Sequence, residues 1–211
     1  MLFKDRFDAG KKLAERLQKY KNDPQAIILA IPRGALEIGS VLSSELNLPL
    51  DIILTKKIGY PGNPEYAIGA MSLDSVIIDK RALEFSGQLE AYLKQEIENI
   101  RQLLRERSAL YHGDRVPFSL ENKTIIVVDD GIATGKTLEA TIDLIKKQRP
   151  AKIVVAVPVA SKEALHLIKK KVDEVVCLMV PDIFMSVSQW YNHFDQVSDE
   201  QAIQLLQESY R

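Results

Sequence analysis

Apolar residues are spaced in two ways along this chain, and the two alternate. In five places they run without interruption: AIILAI (26–31), LDIILTK (50–56), TIIVVDD (124–130), KIVVAVPVA (152–160) and EVVCLMV (174–180). Such runs predict strands buried on both faces. Elsewhere the apolar residues recur at helical spacing. Phe3, Phe7, Leu13, Ala14, Leu17 and Tyr20 predict an opening amphipathic helix. Further helices are expected over about 36–47, 136–148 and 162–171. Residues 67–73 and 75–79 predict two short strands. Leu83, Leu89, Leu93, Ile97, Ile100, Leu103, Leu104 and Ala109 predict a long helical segment over 80–111, interrupted near Ser86 and Gly87. Residues 112–123 read as a loop. Near the end, Ser198 and Gln201 have capping-box spacing ahead of Ala202, Ile203, Leu205 and Leu206.

Buried strands alternating with helices predict an α/β fold, a mostly parallel sheet flanked by helices. Ligands of such sheets bind beyond the carboxyl ends of the strands. The expected organisation is one domain over 1–211, with a helical insertion at about 80–111 and a tail from about 181.

Composition narrows the function classes. The chain has 211 residues, 46% of them hydrophobic, with 28 Lys+Arg against 29 Asp+Glu. The net charge of −1 argues against a general nucleic-acid binder, which needs a basic excess. Cys177, the single cysteine, leaves no internal disulfide framework. The opening residues lack the apolar core of a secretory signal, and the longest apolar runs fall far short of the roughly 20 residues that span a bilayer. A cytoplasmic protein is the expectation. His112, His166 and His193 lack metal-ligand spacing.

The chemistry concentrates in TIIVVDDGIATGKTLEATIDLI (124–145). An expected strand ends in Asp129 and Asp130, a loop of small residues follows, and a helix begins near residues 134–136. Free N–H groups and the helix dipole make that helix start a phosphate site. Gly131, Ala133 and Gly135 permit close backbone approach, Thr134 and Thr137 add hydroxyls, and Lys136 adds charge. A triphosphate loop, G-x-x-x-x-G-K-[ST], would need glycine at position 130, which is Asp130. Two acids beside a monophosphate cradle suit a sugar phosphate: they accept hydrogen bonds from vicinal hydroxyls and orient a divalent cation through water.

VVDDGIATGKT resembles the 5-phosphoribosyl-1-diphosphate (PRPP) signature of type I phosphoribosyltransferases. AIPRGALEIG is similar to that family's pyrophosphate loop, and TKKIGYPGNPEYAIGA to the following strand and catalytic loop. The likeness to a branch of uncertain acceptor extends over nearly the whole chain, including the tail FMSVSQWYNHFDQVSDE. It implies the type I fold with a small hood, and an Mg²⁺-dependent pentosyltransferase acting on PRPP and a nitrogenous, base-like acceptor with release of pyrophosphate. It also implies a homodimer. Residue by residue, Asp129 and Asp130 contact the ribose hydroxyls, directly or through metal-bound water. Gly131, Ile132, Ala133, Thr134, Gly135, Lys136 and Thr137 form the 5-phosphate loop, and Arg33 and Gly34 lie in the pyrophosphate loop. Lys56 and Lys57 neutralise the leaving group. Residues 59–66, rich in Pro and Gly, are expected to form a lid carrying the carboxylate of Glu65.

The 6-oxopurine enzymes resemble DDIIDTGKT in this loop, with an acid where this chain has Ala133, so hypoxanthine or guanine chemistry by that route lacks its acid. The alternative to an enzyme is a non-catalytic PRPP or nucleotide sensor on the same fold. Trp190, Tyr191, His193 and Phe194 have two readings: stacking on a base or packing the tail onto the core.

Overall fold

The computed structural model describes residues 2–79 and 87–209, without the side chains of residue 65 and residues 87–89. Five parallel strands form the central sheet: β1 Ala26–Ala30, β2 Leu50–Ile52, β6 Thr124–Val128, β7 Lys152–Val159 and β8 Glu174–Met179, in the order β2-β1-β6-β7-β8. Alternate residues of each strand enter opposite layers. Ile28, Ala30, Ile126 and Val128 pack in one core with α1 (Arg6–Arg16) and α2 (Ala35–Leu46). Ile27, Leu29, Ile125 and Val127 pack in the other with α4 (Lys136–Lys147) and α5 (Lys162–Lys169). Burial on both faces is why β1, β6 and β7 read as apolar runs; the expectation fails for β8, which lies at the sheet's edge and is only half-buried.

A second, antiparallel sheet has the order β3-β4-β5, with β3 Lys56–Tyr60, β4 Asn63–Met71 and β5 Val76–Ile78. Two expectations change here. The run 50–56 is not one strand. It pairs over Leu50–Ile52, and Ile53 and Leu54 stay buried while the chain crosses to the second sheet. Burial produced the apolar run, and burial does not require a ladder. The expected lid at 59–66 is also not an open loop but the turn of the β3–β4 hairpin, with Tyr60 opposite Asn63. Pro61 presets the turn and Gly62, at φ +77°, takes the left-handed position. Gly59 allows the two strands to meet closely, since a Cβ there would lie 2.7 Å from the Pro64 backbone.

The long helix α3 spans Gly87–His112; residues 80–86 of the expected helical segment lie outside the described residues. Leu93, Ile100, Leu104 and Tyr111 form its buried stripe. Tyr92 donates a 3.1 Å hydrogen bond to the Gly59 carbonyl, tying α3 to β3. The final helix, α6 (Asp199–Glu208), starts with the expected capping box: the Gln201 N–H donates to Ser198 Oγ at 3.2 Å, and the Ser198 N–H donates to Gln201 Oε1 at 3.0 Å. No helix among the described residues is long and apolar enough to cross a membrane.

A buried ion pair anchors the far end of α3. His112 Nε2 lies 2.7 Å from Oδ1 of Asp51, on the edge strand β2, and the side chains are 4% and 2% exposed. The Ile52 and Phe118 N–H groups donate to the same carboxylate at 2.8 Å. The bond to Asp51 raises the His112 pKa above its ordinary value, against the opposing effect of burial. This contribution to stability is fully present below the unfolded-state value of 6.5 and is lost as pH rises through the higher folded value. Asp51→Asn should lower unfolding free energy by about 3–5 kcal/mol. In urea titrations across pH, the gap between wild type and Asp51→Asn should narrow above about pH 6.5; a gap independent of pH would show that the pair is not charged.

Candidate functional site

The carboxyl ends of β1, β6 and β7 meet at one edge of the central sheet. The segment after β6 is pinned from both sides. The Ile132 N–H donates to the Val159 carbonyl at 2.9 Å, the Ser161 N–H to the Ile132 carbonyl at 2.9 Å, and Ser161 Oγ to the Ala133 carbonyl at 2.7 Å. These bonds tie the loop to the end of β7. Ala133, Thr134, Lys136 and Thr137 are left exposed, while Ile132 and Gly135 are buried. Gly135, at φ +74°, turns the chain into α4, and no side chain caps that helix start. Its free N–H groups and dipole therefore face outward, as an anion requires. Gly131 is small because the tail passes over it: a Cβ there would lie 2.6 Å from Val187 Cγ1.

Asp129 and Asp130 follow β6 directly, and the Asp130 N–H donates to Asp129 Oδ1 at 2.9 Å. The carboxylate of Asp130 is not free. Arg6 of α1 donates from Nε to Asp130 Oδ2 at 2.9 Å, and from Nη1 to the Asp195 carbonyl at 2.9 Å and Glu37 Oε2 at 3.3 Å. Its guanidinium stacks 3.8 Å from the centre of the Phe194 ring. Tyr191 donates to the Asp130 carbonyl at 2.6 Å. Tyr191 lies between Phe3 and Phe194, with ring centres 5.4 and 5.0 Å away. Tyr191 and Phe194 are thus spent on packing the tail against α1 and the acids, which is the second of their two readings.

Burial, and then the charge of Asp130, holds Asp129 well above the usual carboxylate range. Burial also raises Asp130, and the Arg6 guanidinium pulls it back down. Glu37 is raised by burial against the same arginine. Two adjacent carboxyls with little water favour any ligand that brings hydroxyl donors or a cation. Among the described residues, no group of three or more His, Cys, Asp or Glu could hold a metal by itself. The two acids alone match a Mg²⁺ ion, which keeps several waters and completes its shell with substrate phosphates.

Arg33 and Gly34 lie after β1, with a cis peptide between Pro32 and Arg33. Gly34 sits against the acids: a Cβ there would come within 2.5 Å of Asp130 Oδ2 and 2.9 Å of Arg6 Nε. Arg33 reaches the Asp199 carboxylate at 3.7 Å, which also accepts from Tyr111 at 3.1 Å and pairs with Arg107 at 3.8 Å. Arg33, Gly34 and Arg6 face residues 194–197 of the tail across a cavity of about 310 Å³. A second cavity, about 550 Å³, is bounded by Ala133 and Thr134 on one side and Phe184 and Met185 on the other.

The lysines stand apart from this cluster. Lys56 and Lys57 open β3, exposed, in the second sheet rather than at the end of a parallel strand. Lys57 shares with Lys136 a cleft of about 780 Å³ between β4, β5 and α4. Glu65 belongs to β4, and its side chain lies outside the described residues. No motif in the sequence marks Arg6 as part of this cluster. Its signal was a charged residue in register with the buried positions Ala9, Gly10, Leu13 and Ala14 of α1.

Residues 3–191 match the phosphoribosyl transferase domain family. Proteins of Mycobacterium tuberculosis provisionally named phosphoribosyl transferases are 33% identical over 213 aligned positions, covering 100% of this chain and 47% of their own length. The chain thus spans about half the length of these curated relatives. The bifunctional protein PyrR of Listeria monocytogenes is 39% identical over 54 residues, 25% of this chain and 30% of that protein. The crystal structure of TT1426 from Thermus thermophilus superposes with a TM-score of 0.86 at 36% identity, covering 99% of both chains. The chain, matched over residues 3–191, belongs to the phosphoribosyl transferase domain family.

Proposed function

We propose that this chain, acting as one domain over 1–211, is a Mg²⁺-dependent phosphoribosyltransferase that takes PRPP and a nitrogenous, base-like acceptor and releases pyrophosphate. The observation that carries the reading is the meeting of three parts at one sheet edge: the acid pair, the open start of α4 and the loop at Arg33 and Gly34. In this reading the N–H groups around Thr134–Thr137 and the hydroxyls of Thr134 and Thr137 hold the 5-phosphate. Asp129 and the free oxygen of Asp130 accept from the ribose hydroxyls. Arg33 and the backbone at Gly34 hold the pyrophosphate. The cavity bounded by Phe184 and Met185 offers an apolar wall for a planar acceptor.

The chemistry is a displacement at the anomeric carbon. The C1–O bond to pyrophosphate breaks with its electron pair on the departing oxygen, a C1–N bond forms, and the proton of the acceptor nitrogen passes to the departing pyrophosphate. Asp129 and Asp130 are the residues that would hold Mg²⁺, which supplies charge neutralisation to the pyrophosphate. The remaining work is the protein's: it aligns the ribose, stabilises charge on the leaving group and excludes water from a centre with oxocarbenium character.

Calorimetry with PRPP and Mg²⁺ should give saturable 1:1 binding, and no binding would refute the reading. Asp129→Asn should weaken that binding by about tenfold or more. Gly135→Ala forces an L side chain into a left-handed turn, at about 1–2 kcal/mol, and should weaken donor binding together with stability. Pyrophosphate release over a panel of purines, pyrimidines and simple amines should reveal at least one acceptor. Tight PRPP binding without turnover on any of them would instead identify a sensor.

A further inference from the structure

Arg6 is a buried cation that the displacement chemistry does not use. Its side chain is 7% exposed, and it joins four parts of the molecule: α1, which carries it; Asp130 after β6; Glu37 on α2; and the tail, through the Asp195 carbonyl and the Phe194 ring. The loop after β1 rests on the same contact, since the space a Gly34 Cβ would need is filled by Asp130 Oδ2 and Arg6 Nε.

We propose that Arg6 is a positioning residue for the donor site, acting through Asp130. The inference rests on the PRPP reading above. Its guanidinium commits Oδ2 of Asp130, turns Oδ1 toward the ligand, and sets the carboxylate, the loop at Gly34 and the tail in one arrangement. A guanidinium suits this task because its N–H groups point in fixed, divergent directions. Here Nε serves Asp130, and Nη1 serves Glu37 and Asp195. An ammonium has no such fork. The two acids are therefore unequal: Asp129 meets the sugar as a ligand, while half of Asp130 belongs to the scaffold.

The test is a double-mutant cycle read by calorimetry with PRPP and Mg²⁺ and, once an acceptor is in hand, by KM against kcat. Each variant is first shown to be folded by circular dichroism and its Tm. Arg6→Met should weaken PRPP binding by about tenfold and raise the KM for PRPP more than it lowers kcat. In an Asp130→Asn background the same substitution should change binding less than about twofold. Arg6→Lys should recover part of the lost affinity. Glu37→Gln, which leaves the Asp130 contact in place, should lower Tm while leaving PRPP affinity within about twofold. A merely structural Arg6 predicts lower Tm and equal losses in both backgrounds. Folded Arg6→Met with wild-type affinity, or effects of Arg6→Met and Asp130→Asn that simply multiply, would overturn the proposal. If Arg6→Met does not fold, wild-type affinity in Arg6→Lys would overturn it. Failure of wild type to bind PRPP would refute the functional reading itself, and is a separate arm.

Discussion

Burial of the central sheet on both faces is the constraint from which the rest follows. Alternate residues of β1 and β6 supply two separate cores, so neither face can carry polar chemistry without losing its packing. What remains open is the edge where the strands end. Parallel strands all end on one side, so the loops after β1, β6 and β7 arrive there together. The acid pair, the glycine turn into α4, and the loop at Arg33 and Gly34 occupy those ends. The sheet also braces them: the segment after β6 is hydrogen-bonded to the end of β7 at Ile132 and Ala133.

Charge is arranged around this edge by burial more than by number. Asp129, Asp130 and Glu37 are all raised by loss of water, and Arg6 opposes this at all three, by direct contact at Asp130 and Glu37. Among the described residues, Arg6 is hydrogen-bonded to Asp130 and acts on Asp129 only through its charge. A net charge of −1 for the whole chain says nothing of this. The total is balanced while the local field is not.

The C-terminal tail and α3 are the departures from a bare α/β core. The tail crosses over the acids, with Val187 on Gly131, Tyr191 on the Asp130 carbonyl and Phe194 under Arg6. The helix α3 is held at one end by His112 on Asp51 and reaches Asp199 through Arg107 and Tyr111. Asp199 also meets Arg33. Asp199 thus touches the loop at Arg33 directly and α3 reaches it through Asp199, a geometric link between the periphery and the proposed pyrophosphate side.

Local signals made much of this legible beforehand. Apolar runs located the five parallel strands, because contributing to the sheet's two cores leaves that pattern, though the run 50–56 extends past its strand, since burial does not require a ladder. VVDDGIATGKT located the acids and the helix start, because an apolar strand runs into the acids and the turn into α4 demands glycine. Ser198 and Gln201 marked the last helix, because a capping box is closed within four residues. What remained hidden depended on partners distant in sequence. Arg6 and Asp130 are 124 residues apart, and Asp51 and His112 are 61 apart. Nothing in either neighbourhood specifies the other. The hairpin was hidden for a different reason: Pro61 and Gly62 fit a loop or a turn equally well, and only the pairing of the flanking strands decides between them. A sequence records what each segment can bury and how it can turn. Which charges meet is set only when the layers close.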